Sequence, residues 1–104
     1  MKVVRSPHYA GARAWDAQLL AAFADATVRL HWTDQPYRWH INDGEEVFAV
    51  MDRTVEMHYR EPGGSEQLVT LHAGDIFCAA AGDAHSARPR GPARVLMIER
   101  AGSE

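Results

Sequence analysis

The sequence predicts an all-β fold, an antiparallel sandwich or barrel with one short helix near the N-terminus. Two observations carry this prediction. Short runs rich in aromatic and β-branched residues recur along the chain, and clusters of Gly, Asp and Pro separate them at short intervals. The 104 residues then form a single domain, with an N-terminal strand and helix in about residues 1–25 and the barrel core in about residues 26–100.

The helix is predicted from an alanine-rich segment. Trp15, Leu19 and Phe23 follow one another at i, i+4 spacing and form one apolar stripe, which we expect to pack against the core. In residues 28–33, apolar and polar side chains alternate instead, as they do in a half-buried strand. This alternation directs His31 away from the core.

A strand in residues 37–42 ends at the turn signal Asp43-Gly44. Alternate side chains share a face, so His40 and Asn42 point the same way. The next strand begins at Glu46, and a tight turn at Asp43-Gly44 folds that residue back beside His40. The hairpin therefore predicts a cluster of one imidazole, one amide and one carboxylate.

The β pattern continues to the end of the chain. Val55, Met57 and Tyr59 alternate with polar residues and form the apolar face of a half-buried strand. A loop of turn formers follows in residues 61–65. Further strands are predicted in residues 68–71, 76–79 and 95–98, of which the last is apolar on both faces.

Composition excludes several classes of partner. The chain has 11 basic and 14 acidic residues, a net charge of −3, which gives no basic surface for nucleic acid or an anionic membrane. No segment approaches the ~20 apolar residues of a transmembrane helix or the apolar region of a signal peptide, so we expect a cytoplasmic protein. The single cysteine, Cys78, excludes an intrachain disulfide and is expected to be a buried core thiol.

His85 follows a second turn signal, Gly82-Asp83, far along the chain from His40. Two imidazoles and a carboxylate form a 2-His-1-carboxylate metal site if the fold brings His85 to His40 and Glu46. The alternative is that these histidines are solvated or hydrogen-bonded strand residues, since the chain has six histidines in all.

Two short motifs resemble those of the cupin family, G-x5-H-x-H-x3/4-E-x6-G and G-x5-P-x-G-x2-H-x3-N. The first falls on Asp34, His40, Asn42, Glu46 and Arg53, and the second falls on Gly74, Ala80, Gly82, His85 and Pro89. The matching positions are His40, Glu46, Gly74, Gly82 and His85. The resemblance covers roughly residues 28–100. It implies a cupin jelly-roll barrel in which His40, Glu46 and His85 bind a divalent metal ion (Fe, Mn, Ni or Zn), with Asn42 as an optional fourth ligand.

Two departures from the cupin motifs carry information, and only the first concerns the site. Asn42 replaces a histidine, and an amide oxygen is a weaker ligand than imidazole, so metal affinity should fall. The same change leaves open positions, as in the non-haem Fe(II) oxygenases. Arg53 replaces a glycine, and we expect that the chain there no longer needs the backbone freedom of glycine.

Arg38 shares its strand face with His40, and a guanidinium beside a metal suits a carboxylate or a phosphate. A small anionic substrate follows from this placement. The alternative places Arg38 at the barrel rim, paired with a surface acid. Phe48, Met57 and Tyr59 are candidates for the apolar wall of the substrate pocket, although such residues on strands also serve as ordinary core.

The resemblance leaves two classes of function. One is a small metalloenzyme, an oxygenase, isomerase or lyase acting on a small polar or anionic molecule. The other is a small-ligand-binding or sensory domain without turnover, whose metal site is weakened or empty. Small cupins also attract the label mannose-6-phosphate isomerase-like. Strands that are apolar on both faces, in residues 37–42 and 46–51, favour a homodimer, whereas a monomer would need the N-terminal segment to cover them.

Overall fold

A computed structural model describes residues 1–103 and contains an antiparallel β-sandwich of seven strands. The strands are β1 (Asp16–Ala22), β2 (Ala26–Thr33), β3 (His40–Ile41), β4 (Glu46–Arg60), β5 (Gln67–His72), β6 (Ile76–Ala79) and β7 (Ala84–Arg100). A 3-10 turn, Ser6–His8, precedes them. Within the described residues, no helix is long and apolar enough to cross a membrane.

The two longest strands, β4 and β7, pair with each other along most of their length and organise the sheet. The order is β1-β2-β7-β4-β5, while β3 pairs with β7 and β6 pairs with β4. Every pairing is antiparallel. The strands predicted in residues 28–33, 54–60, 68–71, 76–79 and 95–98 are confirmed, although several are parts of longer strands.

The core lies between the faces that β4, β5 and β7 turn inward. Its residues include Phe48, Val55, Met57 and Val95, each at most 1% exposed. The alternation predicted for residues 54–60 is confirmed, because Val55 and Met57 are buried while their polar neighbours are not. Cys78, expected in the core, is instead exposed on β6.

The predicted N-terminal helix is wrong, since the same residues form strand β1. In this strand Leu19 is 51% exposed, and Phe23, just beyond it, is 67% exposed, so the i, i+4 stripe does not pack against the core. Trp15 has a φ of 61°, outside the right-handed helical region. Helix propensity is a weak local preference, and here the backbone hydrogen bonds that β1 makes along the edge of β2 outweigh it.

The predicted hairpin between residues 37–42 and 46–51 is also wrong in its pairing. Only His40–Ile41 is a strand, and it pairs with β7 rather than with β4. Instead, the backbone N–H of Asn42 donates to the backbone carbonyl of Asp83, and the backbone N–H of Gly82 donates to the backbone carbonyl of Asn42. The loop after β3 is thus hydrogen-bonded to the turn that precedes β7, and β4 begins at Glu46 without pairing with β3.

The register between β4 and β7 shifts twice, between Val50 and Asp52 and between Asp52 and Thr54. Arg53, in the second shift, has a φ of 65°, the left-handed region that glycine adopts most easily. The expectation that this position no longer needs such freedom is therefore wrong. The bulge is held by Arg94, whose backbone amide donates to Asp52 Oδ1 at 2.8 Å and whose Nη1 donates to Oδ2 at 3.0 Å.

Candidate metal centre

Three strands bring together the predicted ligands. His40 on β3 lies directly opposite His85 on β7, and Glu46 is the first residue of β4, a strand that also pairs with β7. One ligand atom from each of His40, Glu46 and His85 lies within 4.8 Å of the other two. The pairing of β3 with β7 therefore brings His40 to His85, and the folding of the sandwich, rather than strand pairing, brings Glu46 to both.

The cluster is compact and lies largely inside the protein. His85 is 1% exposed and Glu46 is 5% exposed, while His40 is half-buried. The His85 Nε2 atom lies 3.4 Å from Glu46 Oε1, and the two imidazole rings meet edge to face with centroids 4.2 Å apart. Two imidazoles and one carboxylate are thus held where a single ion can contact all three.

The tautomer of His40 is set by the chain beside it. Its Nδ1 lies 3.5 Å from the carbonyl oxygen of Arg38, which accepts a hydrogen bond from an Nδ1–H group. The lone pair is then on Nε2, which is buried and has no hydrogen-bond partner among the described residues. A backbone acceptor on the far ring nitrogen is the usual support of a metal-binding histidine.

Asn42 also reaches the cluster, from the loop after β3. It is 7% exposed, and its Oδ1 accepts a hydrogen bond from His85 Nε2 at 2.9 Å. Its Nδ2 is buried without a hydrogen-bond partner among residues 1–103. The amide oxygen therefore lies where the optional fourth ligand was predicted, but it is engaged with an imidazole.

Burial controls the protonation of the candidate ligands. Desolvation lowers the pKa of His85 to about 4, with a further contribution from the neighbouring His40. Desolvation also lowers the pKa of His40. Both rings are therefore neutral at pH 7, as metal ligation requires. Glu46 behaves in the opposite way, because desolvation and the nearby Glu99 carboxylate raise its pKa to about 8.

The donor set suits a divalent transition-metal ion, and two separations around His85 match those between ligands of one ion. Bonds of about 2.1 Å to nitrogen and oxygen place adjacent ligand atoms about 3.0 Å apart in an octahedron and about 3.4 Å apart in a tetrahedron. The separations from His85 Nε2 are 2.9 Å to Asn42 Oδ1 and 3.4 Å to Glu46 Oε1. Glu46 Oε1 and His40 Nε2 are buried atoms without hydrogen-bond partners in the described chain, and a bound cation would satisfy both.

A cavity of about 440 Å³ opens beside His40 and His85. Its wall is mainly aromatic and apolar, with two guanidinium groups. The lining includes Trp15, Arg29, His31, Tyr37, Arg38 and Met97. A second, more polar cavity of about 350 Å³ approaches the same cluster from the side of Asn42 and Glu46.

The structure distributes the predicted pocket residues unevenly. Arg38 lines both cavities, and its guanidinium lies over the Tyr37 ring and donates to the Tyr37 hydroxyl at 3.1 Å. Phe48 and Met57 lie in the hydrophobic core, and Tyr59 packs against that core. None of these last three lines either cavity.

The sequence also left functional positions unnoticed. His31 was expected to face away from the core, which is wrong, since it lines the cavity and burial lowers its pKa. Trp15, assigned to a helix stripe, lies on the same wall, its ring 5.2 Å from that of Tyr37. Glu99 lines both cavities and is 7% exposed. Strand parity carried a signal for Glu99, because it continues the alternation of buried Val95 and Met97.

The fold and the site can be compared with known proteins. No family model and no curated protein sequence matches the chain. A crystal structure of a cupin-2 domain-containing protein from Shewanella frigidimarina matches with a TM-score of 0.73 and 26% sequence identity, over 85% of this chain and 82% of that one. The protein has the fold of a small cupin domain.

Other solved structures with a similar fold include two enzymes. The hydroquinone 1,2-dioxygenase of Sphingomonas sp. TTNP3, solved with 4-hydroxybenzoate bound, matches with a TM-score of 0.78 and 14% identity, over 88% of this chain and 69% of that one. A hydroquinone 1,2-dioxygenase in complex with Fe³⁺ matches with a TM-score of 0.77 and 17% identity, over 88% of this cupin and 29% of that chain. At these identities, the likeness shows the fold alone.

Proposed function

We propose that this cupin is a small metalloenzyme in which His40, Glu46 and His85 bind a divalent ion such as Fe, Mn, Ni or Zn. The observation that carries the proposal is the meeting of three ligand atoms, from three strands, within 4.8 Å of one another. Burial keeps both imidazoles neutral, and His40 presents its Nε2 lone pair, whereas His85 Nε2 would first have to give up its hydrogen bond to Asn42. Three protein ligands leave further coordination positions open.

The cavity beside His40 is the proposed substrate site. Arg38 brings positive charge to its wall, which favours a small anionic molecule, as the sequence suggested, while the charge of Arg29 is offset by Glu99 in the same wall. The aromatic wall formed by Trp15 and Tyr37 excludes water from one side of such a molecule and offers ring edges and faces to it. A bound anion would then lie against the exposed part of His40.

The proposed reaction is of the oxygenase, isomerase or lyase type. A bound ion would supply a Lewis acid, or a redox centre if it is iron or manganese. The protein supplies a neutral His85, a His40 ring oriented by the Arg38 carbonyl, and charge complementarity for the substrate. The Fe³⁺ complex of a dioxygenase of the same fold supports the oxygenase type.

The second candidate function is a small-ligand-binding domain without turnover. The observation that favours it is the 2.9 Å hydrogen bond between His85 Nε2 and Asn42 Oδ1. This bond satisfies the Nε2 atom of His85 without any ion, so the cavity can form around a metal-free cluster. In this case, an anionic ligand would bind through Arg38 with the metal site empty.

Elemental analysis of protein purified without chelator and without a histidine tag separates the two. We expect about one equivalent of a transition metal in the wild type and less than a tenth of that in His85→Ala. His72→Ala is the matched control, because His72 is exposed on β5 and lies outside the cluster. A wild-type metal content far below one equivalent, unchanged in His85→Ala, would refute the metalloenzyme proposal and leave the binding domain.

We also propose that the cupin forms a homodimer. Ile41 is 68% exposed and Met51 is 41% exposed, and Leu19 and Phe23 expose apolar surface at the edge formed by β1. Together these residues expose large apolar side chains to solvent, which a subunit interface would bury. Light scattering after size-exclusion chromatography should give about twice the 11.6 kDa chain mass, and a monomer mass at micromolar concentration would exclude the dimer. A cytoplasmic location stays a prediction of the sequence.

A further inference from the structure

Trp15 has a backbone conformation that is unusual for a bulky residue. Its φ of 61° lies in the left-handed region, and it occupies the third position of a turn in which the Asp16 amide donates to the Arg13 carbonyl at 3.1 Å. Turns with a positive φ at this position normally have glycine or asparagine there. For a bulky residue this conformation costs free energy, and such costs concentrate at functional sites. The strain at Trp15 therefore calls for a reason in the placement of its side chain.

Contacts around Asp16 hold the turn in this conformation. Asp16 Oδ2 accepts a hydrogen bond from the Ala12 amide at 3.0 Å, and Oδ1 accepts one from the Ala17 amide at 3.1 Å. Arg13 Nη2 lies 3.8 Å from the same Oδ1. Strand β1 then begins at Asp16 and pairs with β2. The Trp15 side chain is therefore carried by a turn that is fixed at the start of a paired strand.

The Trp15 indole lies in the wall of the cavity beside His40. It meets the Tyr37 ring edge to face, with centroids 5.2 Å apart. The Tyr37 ring meets the His40 ring in the same way, also at 5.2 Å. One aromatic ring therefore separates Trp15 from the candidate metal centre.

The indole nitrogen is the part of this side chain that packing does not explain. Trp15 Nε1 is buried and has no hydrogen-bond partner among residues 1–103. Buried polar groups nearly always have a partner, and the N–H of a buried tryptophan usually finds one. A phenylalanine could pack against the same core without bringing a donor that must be satisfied. The unsatisfied N–H therefore indicates a hydrogen-bond acceptor that the chain itself does not supply.

The charge and shape of the cavity define the ligand that would supply this acceptor. Arg38 brings positive charge to the wall beside Tyr37, which favours an anionic group there. Trp15 adds a neutral donor next to the same ring. A flat body about the size of one aromatic ring would connect the two ends and pack against the aromatic wall. The ligand class is thus a small flat acid with a second oxygen acceptor remote from its carboxylate.

We propose that Trp15 is a specificity-determining residue, whose indole N–H donates a hydrogen bond to an oxygen of the substrate remote from the metal centre. The proposal rests on the proposed function, because it takes the cavity beside His40 as the substrate site. It gives the strained turn before β1 a role, which is to hold the indole in the cavity wall. Trp15 lies outside the two cupin motifs.

The test uses two probes that differ only in the proposed acceptor. 4-Acetylbenzoate carries a carbonyl oxygen where 4-isopropenylbenzoate carries a CH₂ group. Both are titrated at pH 7 into ¹⁵N-labelled protein, first with chelator and then with one equivalent of Zn²⁺. We expect the wild type to bind 4-acetylbenzoate about 3–10-fold more tightly, which corresponds to one net hydrogen bond. The Trp15 indole N–H resonance should move downfield with this probe alone.

Two variants separate the indole N–H from a general effect on the cavity. Trp15→Phe keeps an aromatic ring and removes the N–H, so the two probes should bind within about twofold of each other. Trp39→Phe is the matched control, because Trp39 packs against Arg60 and lines neither cavity, and it should keep the wild-type preference. If Trp15→Phe does not fold, the wild-type preference and the Trp15 resonance, assigned by triple-resonance spectra, decide the test.

The outcomes distinguish this proposal from the proposed function. Wild-type protein that binds neither probe, with or without Zn²⁺, overturns the role of Trp15 and the substrate cavity together, while elemental analysis still decides the metal centre. Equal affinity of the wild type for the two probes overturns the role of Trp15 alone, and so does a preference that Trp15→Phe retains. A preference lost in Trp15→Phe and kept in Trp39→Phe is the expected result.

Discussion

Replacing Arg53 by glycine should make the protein more stable. Glycine within a strand normally destabilises by roughly 0.5–1 kcal/mol, because the unfolded chain gains freedom. Arg53 is an exception, since its φ of 65° lies in the left-handed region. For a residue with a Cβ atom, this conformation costs roughly 1–2 kcal/mol of free energy. The bulge that imposes this conformation is fixed by the contacts of Asp52 with Arg94 and does not depend on the exposed Arg53 side chain.

The expected gain is the strain released less the extra freedom of the unfolded chain. With about 1–2 kcal/mol for the strain and about 0.4–1 kcal/mol for the unfolded chain, Arg53→Gly should stabilise by roughly 0.5–1 kcal/mol. For a domain of this size, the melting temperature should rise by about 3–6 °C. Urea unfolding at pH 7, with the slope of the transition compared between variants, measures the free energy directly.

Two controls make the sign of this effect decisive. Arg53→Ala keeps the Cβ atom and should change the free energy of unfolding by no more than about 0.5 kcal/mol. Met51→Gly places glycine at an exposed neighbour on the same strand whose φ is not positive, and it should destabilise by roughly 0.5–1 kcal/mol. If Arg53→Gly lowers stability as Met51→Gly does, the assignment of strain to Arg53 is refuted.

Three other measurements test the core, the bulge and the carboxyl group of the site. Phe48→Ala should cost about 3–5 kcal/mol in urea unfolding because Phe48 is 1% exposed, and a loss below 1.5 kcal/mol would contradict its core position. Asp52→Ala should cost about 2–3 kcal/mol, because it removes a half-buried ion pair with Arg94, whereas exposed Asp43→Ala should cost clearly less. In chelator, the free energy of unfolding should fall by roughly 2 kcal/mol between pH 6.5 and 8, because the pKa of Glu46 is raised from 4.5 to about 8 and the neutral carboxyl group is favoured only in the folded state. Glu46→Gln should abolish this fall, and an equal fall in both proteins would assign it to another group.

The part of the fold that could be predicted from the sequence is the part with local causes. Val55 and Met57 alternate with polar neighbours, and this pattern alone identifies a strand with one buried face. The segment from Trp15 to Phe23 was misassigned because its apolar spacing suits a helix, whereas its structure is decided by an unpaired edge of β2 that no local pattern reveals. Arg53 illustrates a related limit, since a left-handed backbone at a non-glycine residue leaves no trace in side-chain chemistry.

The sequence predicted which residues form the candidate site, but not how the fold brings them together. The hairpin expected to join His40 and Glu46 does not form. His40 lies opposite His85 in the pairing of β3 with β7, whereas Glu46 pairs with Glu99 near the other end of β7 and approaches His85 through the folding of the sandwich, to 3.4 Å between Oε1 and Nε2. Glu99 lies on the same long strand, 14 positions beyond His85. Its approach to Glu46 depends on the register of β4 against β7, which is a property of the assembled sheet rather than of either segment.

The hydrogen bond between Asn42 and His85 changes how the missing histidine of the cupin motif should be understood. His85 Nε2 cannot donate a proton to the amide oxygen and also coordinate an ion, so metal binding must move the ring proton to Nδ1. That nitrogen is buried and has no hydrogen-bond partner among residues 1–103. A buried donor left unsatisfied costs about 1–3 kcal/mol, which is roughly a 5- to 150-fold loss of affinity. A metal site built on these residues would therefore be weakened by the lack of an acceptor behind His85 as well as by the replacement of a ligand at Asn42.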